Sequence, residues 1–116
     1  MDTNVKGYVD LYLLPVPEEK IEEYRKLAMT FGGVAKEHGA LAYREFRGDD
    51  LGEGFTAAAN GQLLTAAVVD FESRAHRDEV MAKVMEDSRV KAMMDVEPIT
   101  DMEQMRYGGF ETIVEA

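Results

Sequence analysis

The sequence contains no cysteine, and this absence excludes several kinds of chemistry. The chain can have no disulfide framework, no thiolate nucleophile and no thiolate ligand for a metal ion. Basic residues are also scarce. The sequence has 13 lysines and arginines and 23 aspartates and glutamates, so the formal net charge is −10. Such an acidic chain is poorly suited to nucleic acid, whose phosphates attract basic surfaces, or to an anionic membrane.

The sequence also lacks an apolar run long enough to span a membrane, and its N-terminus has no secretory signal pattern. Low-complexity segments and internal repeats are absent from the sequence as well. At 116 residues, of which 46% are hydrophobic, the chain is long enough for one modest core. We therefore expect a single cytoplasmic domain over residues 1–116.

The most informative segment is Leu63–Phe71, which predicts a strand that is apolar on both faces. Alternate side chains form two sets, namely Leu63, Thr65, Ala67, Val69 and Phe71 on one side and Leu64, Ala66, Val68 and Asp70 on the other. A strand with one solvated face would alternate between apolar and polar residues, so both faces of this strand require cover.

Hydrophobic periodicity and turn residues predict the remaining elements. These are a strand over Val5–Val16, a helix from Pro17 to His38, a strand over Ala40–Arg47, a loop over Gly48–Gly61, a helix capped by Ser73 and ending near Asp87, a short helix over Ser88–Met94, and a strand over Met105–Glu115. With right-handed crossovers, this order predicts an α+β protein with the ferredoxin-like βαββαβ fold.

In that fold a four-stranded antiparallel sheet carries both main helices on one face. The other face would be left apolar by the first and third strands, and a large exposed apolar patch is unusual for a soluble monomer. We therefore expect a homodimer through the open sheet face.

Two glycine pairs interrupt predicted elements. Gly32 and Gly33 lie within the first helix, where we expect either a bend or the close approach of another backbone. Gly108 and Gly109 lie within the last strand, where a bulge is the favoured interpretation and close approach by a ligand or backbone is the alternative.

The candidate catalytic residue is His38, which follows Tyr24 and Phe31 on one stripe of the first helix. At a pocket between this helix and the sheet, it would act as a general base or a hydrogen-bond donor. The alternative is a structural histidine favoured by the negative end of the helix dipole. The candidate ligand-binding residues are Tyr24, Phe31, Tyr43, Tyr107 and Gly108, although aromatic residues on strands also serve as core.

We expect no metal and no cofactor. Without cysteine, a metal site would need His38, His76 and carboxylates, and none of these stands at a recognisable ligand spacing. The glycines between Gly48 and Gly61 lack the Lys-Ser/Thr pair of a phosphate-binding loop and do not open a helix directly after a strand, as a dinucleotide site requires.

Short segments along nearly the whole chain resemble the YbaA-like family of uncharacterised bacterial proteins. The most specific of them are Lys36-Glu37-His38-Gly39-Ala40 and Tyr107-Gly108-Gly109-Phe110-Glu111. The resemblance implies a dimeric α+β barrel, the ferredoxin-like dimer of cofactor-independent monooxygenases, dye-decolourising peroxidase relatives and muconolactone isomerase. It implies no catalytic residues.

Two functions remain open from the sequence. The first is binding or cofactor-free transformation of a small apolar or aromatic molecule, as by an oxygenase or isomerase. The second is a non-catalytic dimeric module in stress or regulatory physiology. RNA binding, which other proteins of this topology perform, is disfavoured by the net charge and by the lack of a basic aromatic strand motif.

Overall fold

The computed structural model describes residues 6–55, 61–100 and 102–116, and within them a four-stranded antiparallel sheet carries three helices. The elements are β1 (Tyr8–Pro17), α1 (Ile21–Glu37), β2 (Ala42–Arg47), β3 (Gln62–Phe71), α2 (Arg74–Glu86), α3 (Ser88–Met94) and β4 (Arg106–Glu111). The strands lie in the order β2-β3-β1-β4, and each neighbouring pair is antiparallel. The predicted ferredoxin-like fold is confirmed.

Most element bounds lie near the predicted ones, but β4 ends at Glu111, four residues before the predicted Glu115. A 3₁₀ turn over Glu18–Lys20 precedes α1, so the α-helix begins at Ile21 rather than Pro17. The start of β2 is delayed because Gly39 has a φ of +120° and the amide of Ala40 donates to the carbonyl of Ala35 at 2.9 Å. Gly39 therefore ends α1 with a positive φ, which glycine adopts without steric cost. Part of the predicted loop, residues 56–60, lies outside the described residues, as does the predicted first-strand residue Val5.

The core lies between the helices and one face of the sheet. The core contains the side chains of β1 and β3 that point toward the helices. It also contains small and branched side chains from the helices. The fully buried large side chains are Val16, Val34, Val69, Phe71, Val80 and Val84. Since Val69 and Phe71 belong to one of the two sets predicted for β3, the strand register assigns the other set to the opposite face.

That opposite face, called the open face here, carries mainly apolar side chains. Its apolar members in the centre of the sheet are Val9, Leu11, Leu13, Leu64, Ala66 and Val68. Phe46 of β2 and Phe110 of β4 extend it, and both are exposed. The buried residues of α1, α2 and α3 in the core cluster pack with Val69 and Phe71, on the other side of the sheet. The described helices therefore leave the open face without cover.

A buried ion pair joins β1 to α2. Asp10 is 4% exposed, and its carboxylate accepts a hydrogen bond of 2.6 Å from Arg77. Burial raises the pKa of Asp10, and the charge of Arg77 opposes this effect. Arg77 also lies over the ring of Tyr8, at 5.1 Å from its centroid. The helix that supplies Arg77 begins at the predicted cap, where the hydroxyl of Ser73 accepts from the amide of His76.

The expected bulge at Gly108–Gly109 is wrong, because the register between β1 and β4 is continuous from Tyr8–Glu111 to Leu13–Arg106. Gly109 is instead required by close approach of a side chain. A Cβ at this position would lie 2.0 Å from the hydroxyl oxygen of Tyr8. No such constraint is found at Gly108, whose Cβ would make only an ordinary contact with Phe110.

The two glycines in α1 also differ from each other. A Cβ on Gly32 would lie 2.4 Å from a ring carbon of Tyr43, whereas a Cβ on Gly33 would meet nothing within 4 Å. The helix runs through both positions, so the predicted close approach occurs at Gly32, with an aromatic ring of β2 in place of a backbone.

We predict opposite effects of alanine at these neighbouring positions. Gly32→Ala should lower the free energy of unfolding by about 1–3 kcal/mol, because the methyl group must displace the Tyr43 ring. Gly33→Ala should raise it by up to about 1 kcal/mol, since alanine has the higher helix propensity and here meets open space. Urea unfolding of both variants measures the difference, and equal effects at the two positions would contradict the packing described here.

Candidate functional site

A cavity of about 440 Å³ lies between the sheet and the helical layer. Its aromatic walls come from β1, α1 and β2, namely from Tyr12, Tyr24, Phe31 and Tyr43. Six of the eight methionines form the facing wall, namely Met81, Met85, Met93, Met94, Met102 and Met105. Methionine side chains are flexible and polarisable, so this wall can adapt to the shape of an apolar occupant.

A wider groove of about 760 Å³ follows the edge strand β2 and one side of α1. It shares Tyr24, Ala28, Tyr43 and Glu45 with the cavity. Charged side chains of α1 and β2, including Arg25, border the groove. The cavity is the better candidate for a ligand site, because its walls are almost entirely apolar and the groove is open to charged surface residues.

Glu45 is the one charged side chain among the described residues that line the cavity. It lies on the helix-facing side of β2, two residues after Tyr43 and opposite Ala67 of β3. Its Oε1 atom accepts a hydrogen bond of 2.7 Å from the hydroxyl of Tyr24. The other carboxylate oxygen, Oε2, is buried and makes no hydrogen bond with any described residue.

Burial controls the protonation of this group of residues. It raises the pKa of Glu45, and the neighbouring hydroxyls of Tyr24 and Tyr43 offset part of the rise. Burial likewise raises the pKa of Tyr12 to about 12 and raises those of Tyr24 and Tyr43 further. All three tyrosines are therefore neutral near pH 7 and offer hydroxyl groups, with no phenolate present.

The structure brings three of the predicted ligand-binding residues together. Tyr24, Phe31 and Tyr43 line the cavity, and the rings of Phe31 and Tyr43 lie 6.0 Å apart in a tilted arrangement. Tyr107 stacks on Tyr12 at 5.8 Å but is 71% exposed and lies outside the cavity wall. Gly108 lies in register with Leu11, so it belongs to the open face on the other side of the sheet.

The candidate catalytic residue His38 lies at the end of α1, away from the cavity lining. Its Nε2 atom is 2.9 Å from Oδ2 of Asp87. Asp87 also caps α3, accepting a hydrogen bond of 2.9 Å from the amide of Arg89. These contacts give His38 a structural partner and match the helix-end interpretation of this residue.

Glu45 is the residue that the sequence analysis missed as a site candidate. The available signal was a glutamate two positions after Tyr43 in a predicted strand, which places both side chains on one face. Since the apolar residues of β3 also point to that face, Glu45 could have been recognised as an inward-facing carboxylate. The lack of a hydrogen-bond partner for its second oxygen could not have been recognised from the sequence, because it depends on where the helices pack.

Among the described residues, no group of three or more histidine, aspartate and glutamate side chains is arranged to hold a metal ion. The described helices include none that is long and apolar enough to cross a bilayer.

Comparison with known proteins identifies the family. The model of the family described as "Protein of unknown function (DUF1428)" matches residues 7–101. The chain is also 30% identical to the uncharacterised protein YbaA of Escherichia coli strain K12 over 115 residues, which cover 93% of this chain and 97% of YbaA. This chain therefore belongs to the DUF1428 family, and the resemblance seen in the sequence is confirmed.

Solved structures agree with the fold. A Nitrosomonas europaea protein named "Putative antibiotic biosynthesis monooxygenase" superposes with a TM-score of 0.66 at 10% identity, covering 97% of this chain and 96% of its own. A dimeric ferredoxin-like protein from an uncultured marine organism superposes with a TM-score of 0.58 at 11% identity, covering 96% of this chain and 99% of its own. At such low identities these similarities establish the architecture only.

We predict that Glu45→Gln stabilises the protein near neutral pH. Burial raises the pKa of Glu45 in the folded protein above its ordinary value of 4.5. The folding stability of the parent therefore falls as the pH rises from about 4.5 to the pKa of the folded state. The glutamine side chain would keep an acceptor for the hydroxyl of Tyr24 without a buried charge, and the unfolding free energy should rise by about 1 kcal/mol at pH 7.

Thermal and urea unfolding at pH 4 and pH 7 measure this effect, which should be smaller at pH 4. Glu23→Gln, at an exposed position of α1, is the matched control and should change the unfolding free energy by less than about 0.5 kcal/mol. A loss of stability in Glu45→Gln at pH 7 would contradict the burial of an unpaired carboxylate.

Proposed function

We propose that this chain binds a small, largely apolar molecule in the cavity between the sheet and its helices. The observation that carries the proposal is a cavity of about 440 Å³ with aromatic and methionine walls and one inward carboxyl group. Ligand sites of proteins commonly have this size and this combination of apolar walls with few polar groups. Tyr24, Phe31 and Tyr43 would contact the bound molecule directly.

The enzymatic form of this proposal is transformation of the bound molecule without a cofactor, as in a monooxygenase or an isomerase. The Nitrosomonas europaea protein named as a putative antibiotic biosynthesis monooxygenase supports this activity class by analogy of fold. The group available for proton transfer is Glu45, because a raised pKa brings a carboxyl group closer to the working pH of a general acid or base. His38 has no part in this proposal, since it pairs with Asp87.

A cavity-filling variant tests the binding proposal. Ala28 of α1 lines the cavity, and Ala28→Phe should weaken binding of the uncharged dye Nile red at least about tenfold. Ala82→Phe, at an exposed position of α2, adds the same group elsewhere and should leave the affinity unchanged. Fluorescence titration measures both affinities, with circular dichroism to verify folding.

Two results would oppose the binding proposal. The parent chain could fail to bind the dye, which would fit the alternative of a non-catalytic dimeric module. Ala28→Phe could also bind as tightly as the parent, which would show that the dye occupies another surface.

The proposal also includes a homodimer through the open face. The central side chains of this face, Leu11, Leu13 and Val68, are apolar, and the described helices lie on the other side of the sheet. A second copy would cover a face of matching size with the same apolar character. The dimeric ferredoxin-like neighbour supports this arrangement by its name and fold.

We predict that Leu11→Glu converts the dimer to a monomer. Leu11 lies opposite Val68 on one side and Gly108 on the other, so a carboxylate there would be buried at the centre of the interface. Sedimentation velocity should show about twice the chain mass of 13.0 kDa for the parent and the single mass for the variant. Ala92→Glu, on the exposed surface of α3, should remain dimeric. A monomeric parent at micromolar concentration would contradict the proposal.

A further inference from the structure

The unpaired oxygen of Glu45 requires an explanation of its own. Buried carboxylates in proteins are normally paired with a cation or hydrogen-bonded through both oxygens, because removal from water is costly. Here Oε1 receives one hydrogen bond from Tyr24, and the hydroxyl of Tyr43 lies close enough to lower the pKa of the carboxyl group. Oε2 nevertheless has no partner at hydrogen-bond geometry among the described residues. A partner supplied by a ligand would complete the hydrogen bonding.

Three cationic side chains, Arg25, Lys36 and Arg47, border the groove beside Glu45, and Arg47 shares the helix-facing side of β2 with Glu45. Arg25, which borders the groove beside Glu45, pairs with Glu22 at 3.0 Å. Lys36, farther along the same helix, donates to the carbonyl of Leu41 at 3.3 Å. Within the described parts of the chain, no lysine, arginine or histidine nitrogen forms a salt bridge with Glu45. Its negative charge is therefore not balanced by a direct ion pair there.

The side chains around Glu45 favour a positive charge in the cavity. Tyr24 and Tyr43 flank the carboxylate, and the rings of Tyr12 and Phe31 line the same space. The faces of aromatic rings attract cations, and this attraction strengthens when the cation is shielded from water. The net charge of −10 adds a long-range attraction for cations in the surrounding solution.

We propose that the ligand of the cavity is a hydrophobic amine whose ammonium group pairs with the carboxylate of Glu45. The ammonium group would lie among the aromatic rings, and the apolar body would extend along the methionine wall. This inference rests on the proposed function, because it specifies the chemical class of the molecule held in the same cavity. The binding involves no covalent step.

Matched probes test the charge requirement. Phenethylamine is protonated at pH 7, whereas phenethyl alcohol has a nearly equal shape without the charge. Displacement of Nile red by each compound should show that the parent protein binds the amine at least about tenfold more tightly than the alcohol. Glu45→Gln should lose this preference, while Glu23→Gln, which removes an equal charge from the exposed surface of α1, should keep it.

The outcomes separate the two proposals. If the parent binds Nile red but shows no preference for the amine, or if the preference survives in Glu45→Gln, this inference is wrong and the proposed function stands. If Glu23→Gln loses the preference as Glu45→Gln does, the amine responds to overall surface charge, and the inference is again wrong. If the parent binds neither dye nor amine, the proposed function itself fails. Circular dichroism verifies that each variant is folded.

Discussion

The close contact between Gly32 and the ring of Tyr43 determines how α1 lies against the sheet. A side chain at residue 32 would occupy the space of that ring, so only glycine permits the observed approach. The approach brings Tyr24, two turns earlier on the helix, within hydrogen-bond distance of Glu45. Because residue 32 has no side chain, α1 can lie close enough to the edge strand β2 for both to line the cavity.

A second set of contacts positions the other wall. His38 at the end of α1 pairs with Asp87, and Arg89 bridges Asp87 and Glu37. Because Asp87 also caps α3, these charges connect the end of α1 to the start of the helix that carries Met93 and Met94. Removal of the His38 side chain would then shift α3 and the methionines it carries, although His38 itself lies outside the cavity lining.

The sequence was sufficient to predict the fold, because β1, β3 and α1 show clear periods of apolar residues and α2 begins at a recognisable cap, Ser73. The two apolar sets of β3 indicated that both faces of the strand need cover, and in the structure the helices cover the set that contains Val69 and Phe71. The site was predicted only in part, since Tyr24, Phe31 and Tyr43 line the cavity but Tyr107 and Gly108 do not. Strand alternation cannot show whether a polar atom such as Oε2 of Glu45 finds a partner, because that depends on how separate elements pack.

In the proposed function, Glu45 links the stability of the protein to ligand binding. An apolar residue or a glutamine on the helix-facing side of β2 would fill the same position without a buried charge, and a stable core alone would favour such a residue. The carboxylate has a raised pKa and one unpaired oxygen, so it lowers the stability of the empty protein. A bound ammonium group would supply the missing partner, and part of the binding energy would then come from relief of this cost. Binding sites typically contain polar groups that lower the stability of the free protein and find their hydrogen-bond partners only in the ligand.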